Sequence, residues 1–162
     1  MSTVPLAFDL TFYSLIVSLH VIFAVIGLGS AFAFPFIGAL AQKNPQHTVF
    51  ALEVNFTIIK KWISPMAVLI LITGLYQVFD GPYSFGDDHW LDISFALFIV
   101  YMGIIGAITT PGTRRALELA RESAGGPPPQ EMIALIQRNA KLGPLLGGII
   151  ILTTFLMEAK PF

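Results

Sequence analysis

The chain has 162 residues, of which 55% are hydrophobic and only 12% are charged. Soluble domains carry about 25% charged residues, and a chain this short has too little polar surface to cover a water-soluble globule, so the composition predicts a polytopic membrane protein. The net charge of −1 argues against nucleic acid as a partner, and the lack of cysteine excludes disulfides, iron–sulfur clusters, thiolate zinc sites and c-type haem attachment.

Four stretches are long and apolar enough to cross a bilayer, which takes about 20 helical residues. They cover residues 10–40, 58–79, 90–110 and 142–157 and predict an all-α, polytopic four-helix bundle that forms one membrane domain over residues 1–162. The first stretch is long enough to tilt or to extend past the bilayer, and a kink is expected at Pro35. The fourth is short, so its helix is expected to begin further back, near Gln130.

The connections carry further helical signals. Asn44-Pro45 predicts the N-cap and first residue of a helical segment from Gln46 to Lys61 that lies along the membrane interface. Residues 113–122 predict a second helical segment, either separate or continuous with the third span. Residues 124–129, Ala-Gly-Gly-Pro-Pro-Pro, predict a linker with no helical option.

The basic residues orient the bundle, because all but one lie in two connections. These are Lys43, Lys60 and Lys61 in the first, and Arg114, Arg115, Arg121, Arg138 and Lys141 in the last. The connection between the second and third spans instead holds Asp80, Asp87, Asp88 and Asp92. The positive-inside rule places the two basic connections, each with its interfacial or cytoplasmic helical segment, in the cytoplasm, and both termini outside. We expect a multi-pass protein of the bacterial cytoplasmic (inner) membrane.

His20 is the only histidine within a span, near the predicted middle of the membrane. An ionisable residue at that depth suggests a functional site. Stepping along its helical face gives Ala24, Gly27, Ala31 and Gly38, a stripe without side-chain bulk. Such a stripe lets either a neighbouring helix or a planar cofactor approach the backbone.

One interpretation of this stripe is helix packing, with neutral His20 hydrogen-bonded to a Ser, Thr or Tyr across the bundle. The same small-residue pattern occurs without histidine at Gly103/Ala107 and at Gly143/Gly147. The other interpretation is a haem or porphyrin site, with His20 as axial ligand or polar contact and Met102, at a similar depth, as a sixth ligand. His89 lies at the outer end of the third span, about 15 Å of helix rise from the depth of His20. This is too far for a site in which both histidines bind one haem. Proton or ion handling is a third alternative.

The acidic loop suggests two roles. Asp87, Asp88, His89 and Asp92 offer carboxylate and imidazole ligands that suit a divalent cation. The simpler interpretation is a solvated loop whose negative charge enforces the topology, and we therefore assign no metal site.

Three segments of the first span, Leu19-His20, Gly27-Leu28-Gly29 and Phe34-Pro35-Phe36, resemble the first helix of a superfamily of small bacterial membrane proteins. It includes the copper-resistance-protein-D-like proteins, the HemJ-type protoporphyrinogen oxidases and a group of uncharacterised four-helix integral membrane proteins. Thr73-Gly74-Leu75 and Trp90 look most similar to that last group. The resemblance implies His20 as a haem contact. It does not carry over the oxidase activity, because the third span has no lysine to match that of the HemJ type.

No catalytic constellation accompanies these features, so the sequence favours a protein without enzymatic activity. The first hypothesis is an accessory or structural subunit that packs against other membrane helices in a larger respiratory or photosynthetic complex, with lipid and other subunits as partners. The alternative is a membrane redox protein that binds haem b or another porphyrin through His20, Ala24, Gly27, Ala31 and Met102.

Overall fold

Four long helices make up most of the computed structural model, which describes residues 11–123 and 126–161. Leu10, the predicted start of the first span, and Ala124 and Gly125 of the predicted linker lie outside these residues. The helices are α1 (Phe12–Lys43), α2 (Pro45–Asp80), α3 (His89–Glu122) and α4 (Gln130–Ala159). Each is long and apolar enough to cross a membrane, and the described part of the chain contains no strand. The predicted all-α, four-helix architecture is therefore confirmed.

The helices form an incomplete ring. α1 packs along α2, and α3 packs along α4, while α2 meets α3 mainly near the two basic connections. Contacts between α1 and α4 are few, so the ring is loosely closed on that side. The main core between the helices consists of Leu28, Ile59, Ile63, Ala67, Ile70, Phe98, Tyr101, Ile105 and Leu146.

The two ends of the bundle differ in charge. We call the end with the two basic connections the basic end, and the end with residues 81–88 the acidic end. At the acidic end the Lys160 ammonium lies 4.4 Å from the ring centroid of Tyr83 and 5.5 Å from that of Trp90, and it donates a hydrogen bond to the Tyr83 hydroxyl. This cation–π cluster joins the end of α4 to the loop and to the start of α3.

The helices are longer than the hydrocarbon layer of a bilayer is thick, and the positive-inside rule leads us to expect the excess length at the basic end. α2 has 36 residues, about 54 Å of helix against roughly 30 Å of hydrocarbon. The helical segments predicted in the basic connections are present and continuous with α2 and α3. A second core fills this extension, made of Leu52, Ala116, Leu117, Leu119, Ala120 and Met132. Exposed ion pairs flank it, Arg121–Glu53 at 2.9 Å and Arg115–Glu131 at 3.0 Å.

α2 and α3 share a local feature, a π-helical turn directly before a Ser-Pro or Thr-Pro pair. The turns are Ile59–Ile63 before Ser64-Pro65 and Ile105–Thr109 before Thr110-Pro111. Proline has no N–H and its ring crowds the preceding turn, and a wider turn accommodates it. The Ser64 and Thr110 hydroxyls donate to the carbonyls of Ile59 and Ile105, at 2.8 and 2.7 Å, so these backbone acceptors are satisfied inside the bundle.

The irregular part of α1 lies before Pro35. A π-helical segment, Ala24–Leu28, is followed by a 3₁₀ segment, Gly29–Ala33, and regular α-helix resumes at Phe34. The disturbance expected around this proline is therefore displaced toward the N-terminal side. Gly27 lies within the π-helical segment and is buried.

Candidate functional site

His20 is held against α2 by one hydrogen bond. Its Nδ1 lies 2.9 Å from the Thr73 hydroxyl, which itself lies 2.7 Å from the Leu69 carbonyl oxygen. Both contacts are hydrogen bonds when Thr73 donates to the Leu69 carbonyl, which only accepts, and accepts from His20. In that arrangement Nδ1 carries the proton of the neutral ring, and Nε2 is the nitrogen with the available lone pair.

The small residues beside His20 serve mainly the contact between α1 and α2. A Cβ added to Gly27 would lie 2.4 Å from the Cβ of Met66, and one added to Gly74 would lie 3.1 Å from Cε1 of His20. Both glycines thus allow the two helices to approach closely. Ala24 and Met102 are half-buried, and each packs on the main core.

The other end of the stripe reaches a cavity that sequence reasoning does not anticipate. Ala31 and Gly38 line a space of about 740 Å³ between the basic halves of all four helices. α1 and α4 contribute several small residues to its wall, namely Ala31, Gly38, Ala39, Ala140, Gly143, Gly147 and Gly148. A Cβ added to Gly38, Gly143 or Gly148 would meet no atom within 4 Å, so these glycines border open space rather than a packed neighbour.

Buried polar atoms without partners concentrate at this cavity. Six such side-chain atoms occur among the described residues, and four of them belong to residues that line the cavity: Asn55 Oδ1, Tyr101 OH, Thr109 Oγ1 and Asn139 Oδ1. The exposed fractions of the Tyr101 and Thr109 residues are only 1% and 7%. A buried polar group without a hydrogen bond costs roughly 1–3 kcal/mol, so these four atoms weaken the packing around the cavity.

Polar contacts between α3 and α4 hold these two helices together beside the cavity. Asn139 Nδ2 donates to the Thr113 hydroxyl at 3.0 Å, and Arg138 donates to the Ile108 carbonyl at 3.1 Å. Gly112 leaves room for the guanidinium, since a Cβ there would lie 2.3 Å from an Arg138 nitrogen. Arg138, one of the residues that define the basic end, thus also bonds to a carbonyl of the π-helical turn.

The acidic loop uses its carboxylates to shape the chain. Asp88 accepts from the Ser84 backbone N–H at 2.9 Å, Asp87 from the Ser84 hydroxyl at 2.7 Å, and Asp92 from the Gly86 N–H at 3.2 Å. Gly86 has a φ of 90°, which favours glycine. No group of three or more potential metal-ligating His, Cys, Asp or Glu side chains occurs in residues 11–123 and 126–161.

Comparison with known proteins identifies the family of this chain. A family model described as "Predicted integral membrane protein (DUF2269)" matches residues 14–161, which include nearly all of the four helices. The chain belongs to the DUF2269 family. This DUF2269 member is accordingly an integral membrane protein, as its composition predicts. No curated protein and no solved structure matches it. The distant similarity to the copper-resistance-protein-D-like and HemJ-type proteins stays a prediction.

The sequence of this DUF2269 member gives only a weak indication of the polar residues at the cavity. Asn55, Thr109 and Asn139 are uncharged polar residues at similar distances from the acidic ends of their helices, and Tyr101 lies deeper. Matching their depths across helices would have grouped three of them. Nothing in the sequence, however, shows that α1 and α4 separate there.

Proposed function

We propose that this DUF2269 protein is a non-catalytic integral membrane protein that binds a small, mainly apolar molecule in the cavity between its helices. The observation that carries the proposal is the cavity itself, whose wall is mainly apolar and includes a few uncharged polar residues. A volume of about 740 Å³ falls within the 300–1,000 Å³ range typical of small-molecule sites. An apolar wall with a few polar groups is the usual composition of such sites.

The test fills the cavity without disturbing the packed helices. Gly143→Leu adds a side chain where an added Cβ meets no atom within 4 Å, beside the cavity. Gly29→Leu is the matched control, because Gly29 also has open space around it but does not line the cavity. Both proteins and the wild type are purified from membranes in mild detergent, and retained molecules are extracted with solvent and identified by mass spectrometry.

We expect a molecule at about one copy per chain in the wild type and in Gly29→Leu, and its loss in Gly143→Leu. Ligand binding also stabilises the folded state, so the two proteins that retain it unfold at higher temperature than Gly143→Leu. Identical extracts from all three proteins, with Gly143→Leu folded normally, would contradict the proposal.

A role as accessory subunit is the second candidate, favoured by the open face of α3. Gly103, Gly106 and Ala107 are exposed, and a Cβ added to either glycine would meet no atom within 4 Å. Gly27, by contrast, already packs within the chain. Gly103→Leu should then shift the protein to a smaller species on native gels of mild-detergent extracts, whereas Gly29→Leu should not. An unchanged single-chain species in every sample would count against a respiratory, photosynthetic or other complex.

Haem binding through His20 is the third candidate, and the tautomer of the ring favours it. A metal-bound histidine donates its other ring N–H to a fixed acceptor, as Nδ1 does to Thr73 here, and Nε2 retains its lone pair. Among the residues that the structure describes, no histidine or methionine lines the cavity, and the chain has no cysteine, so such a haem would lie at His20 and not in the cavity. A Soret band in protein from haem-replete cells, lost in His20→Ala, would support it; absence of the band would exclude it.

A further inference from the structure

The cavity opens sideways, between α1 and α4. Among the described residues of its wall, those on α2 and α3, such as Leu52 and Ile105, are all buried or half-buried. The exposed ones, such as Ala39 and Pro144, all lie on α1 or α4. The gap between these two helices is therefore the mouth of the cavity. Because both helices are long and apolar enough to cross a membrane, a molecule dissolved in the bilayer can enter through this gap.

The wall on α4 matches the length of one lipid leaflet. It reaches Ile151, which lies 8 residues from the acidic end of the helix at Ala159, about 12 Å along it and near the middle of a hydrocarbon layer roughly 30 Å thick. Lys141 lies 18 residues from the same end, about 27 Å along the helix and near the edge of that layer. The stretch between them covers about 15 Å, the half of the layer that an acyl chain of one leaflet occupies.

Two lysines flank the mouth. Lys141 lies three residues before Pro144 and seven before Gly148, two exposed residues of the wall, so it continues their face of α4. Lys43 lies four residues after the exposed wall residue Ala39 and continues its face of α1. No described residue of the wall itself is charged. Positive charge is thus placed at the mouth, and mainly apolar surface lies inside it.

The basic side chains at this end differ in whether the chain supplies them with a partner. Each of the four arginines bonds to a Glu side chain or to a backbone carbonyl. Lys43 and Lys141 are exposed, and neither forms an ion pair or a side-chain hydrogen bond within residues 11–123 and 126–161. A phosphate group at the mouth would give these two ammonium groups the anionic partner that the described chain does not.

Given the ligand site proposed above, we infer that its occupant is an anionic phospholipid from the leaflet at the basic end. One acyl chain enters between α1 and α4 and lies against the apolar wall, and the phosphate stays at the mouth beside the ammonium groups of Lys141 and Lys43. Basic sites between membrane helices on the cytoplasmic side typically bind anionic headgroups, and the positive-inside rule predicts that the basic end lies on that side. The headgroup stays outside the cavity, because a charged group inside would lose its hydration without an opposite charge to replace it.

Two lipids with the same chains and different headgroups provide the test. The protein is purified in mild detergent and titrated with palmitoyl-oleoyl phosphatidylglycerol, which is anionic, or with palmitoyl-oleoyl phosphatidylcholine, which has no net charge. Native mass spectrometry measures the binding of each lipid. The double variant Lys43→Gln/Lys141→Gln removes the charge at the mouth, and Gly143→Leu fills the cavity. Lys61→Gln is the matched control, because Lys61 is exposed at a depth similar to that of Lys141 but lies on α2, away from the mouth.

We expect one phosphatidylglycerol per wild-type chain, bound about tenfold more tightly than phosphatidylcholine. The double lysine variant should lose most of this preference and bind phosphatidylcholine as the wild type does, because only the contact with the headgroup has changed. Gly143→Leu should bind both lipids about tenfold more weakly, because the acyl chain no longer fits. Lys61→Gln should bind both lipids as the wild type does.

The outcomes distinguish the identity of the lipid from ligand binding as such. Equal or tighter binding of phosphatidylcholine, a preference that survives in the double lysine variant, or an equal loss of preference in Lys61→Gln overturns the anionic headgroup and leaves the proposed function standing. Phosphatidylglycerol binding that Gly143→Leu does not change places the lipid outside the cavity and also overturns the inference. If neither lipid binds, the molecule that the wild type retains and Gly143→Leu loses decides: an anionic phospholipid supports the inference, and any other molecule overturns it. If no molecule is retained either, the inference and the proposed function both fail.

Discussion

Gly27 of α1 lies directly against Met66 of α2, so closely that a Cβ on the glycine would lie 2.4 Å from the Met66 Cβ and 3.8 Å from its Cα. The obstructing atom is next to the backbone, so rotation of the methionine side chain cannot relieve it. The approach of the two helices at this depth therefore depends on the missing side chain. Gly29, two residues later, has no atom within 4 Å of an added Cβ.

Gly27→Ala should destabilise the bundle and Gly29→Ala should not. Overpacking a close contact costs about 1–3 kcal/mol, while alanine gains up to about 1 kcal/mol over glycine in a helix. Equilibrium unfolding in mixed micelles should place Gly27→Ala below the wild type and Gly29→Ala at or above it. Equal stability of the two variants would show that α1 and α2 do not pack closely at Gly27.

Thr73→Val should weaken the contact between α1 and α2 by leaving the His20 Nδ1–H without its acceptor. Hydrogen bonds between helices in membranes contribute about 0.5–2 kcal/mol, and we expect a loss of that size. Thr73→Ser is the control, since it keeps the hydroxyl. If Thr73→Ser lost as much stability as Thr73→Val in the same unfolding assay, the methyl group and not the hydrogen bond would be responsible.

Gly112→Ala should displace the Arg138 guanidinium from the Ile108 carbonyl. Relative to Gly106→Ala, which has the same gain in helix propensity, the cost should be about 1 kcal/mol, the net value of one hydrogen bond. It should shrink in an Arg138→Ala background, because the displaced contact is already absent there. Gly106→Ala on the same helix, where a Cβ meets no atom within 4 Å, is the control. Additive losses in the Gly112/Arg138 double-mutant cycle would contradict this coupling.

The orientation can be tested with single cysteines, since the natural chain has none. Cysteines at Lys43 and Gly126 should react with a membrane-impermeant thiol reagent only from the cytoplasmic side, and a cysteine at Asp88 only from the outside, as the positive-inside rule requires. The parent chain without cysteine gives the background. Labelling of the Asp88 cysteine from the cytoplasm would reverse the predicted topology.

The sequence by itself determined the class of the protein and the order of its helices. Scarce charge and four apolar stretches require helices in lipid, because only a hydrogen-bonded helix or a closed barrel satisfies the backbone there. The segment after Asn44-Pro45 and the start of the last helix near Gln130 were also readable, since proline acts locally, although the Asn44 side chain bonds to the Leu40 carbonyl and does not cap the helix that follows. These features depend on neighbours along the chain, which the sequence lists directly.

Only the tertiary structure decided what each small-residue stripe faces. Gly27 packs on Met66, Gly103 faces outward and Gly143 borders the cavity, although all three belong to similar patterns of glycine and alanine. Helical periodicity identifies the residues that share a face, but it carries no information about the helix, lipid or empty space opposite that face. The sequence could not predict the cavity for the same reason. The cavity lies where α1 and α4 do not meet, and polar atoms of Tyr101 and its neighbours there have no hydrogen-bond partner among the described residues.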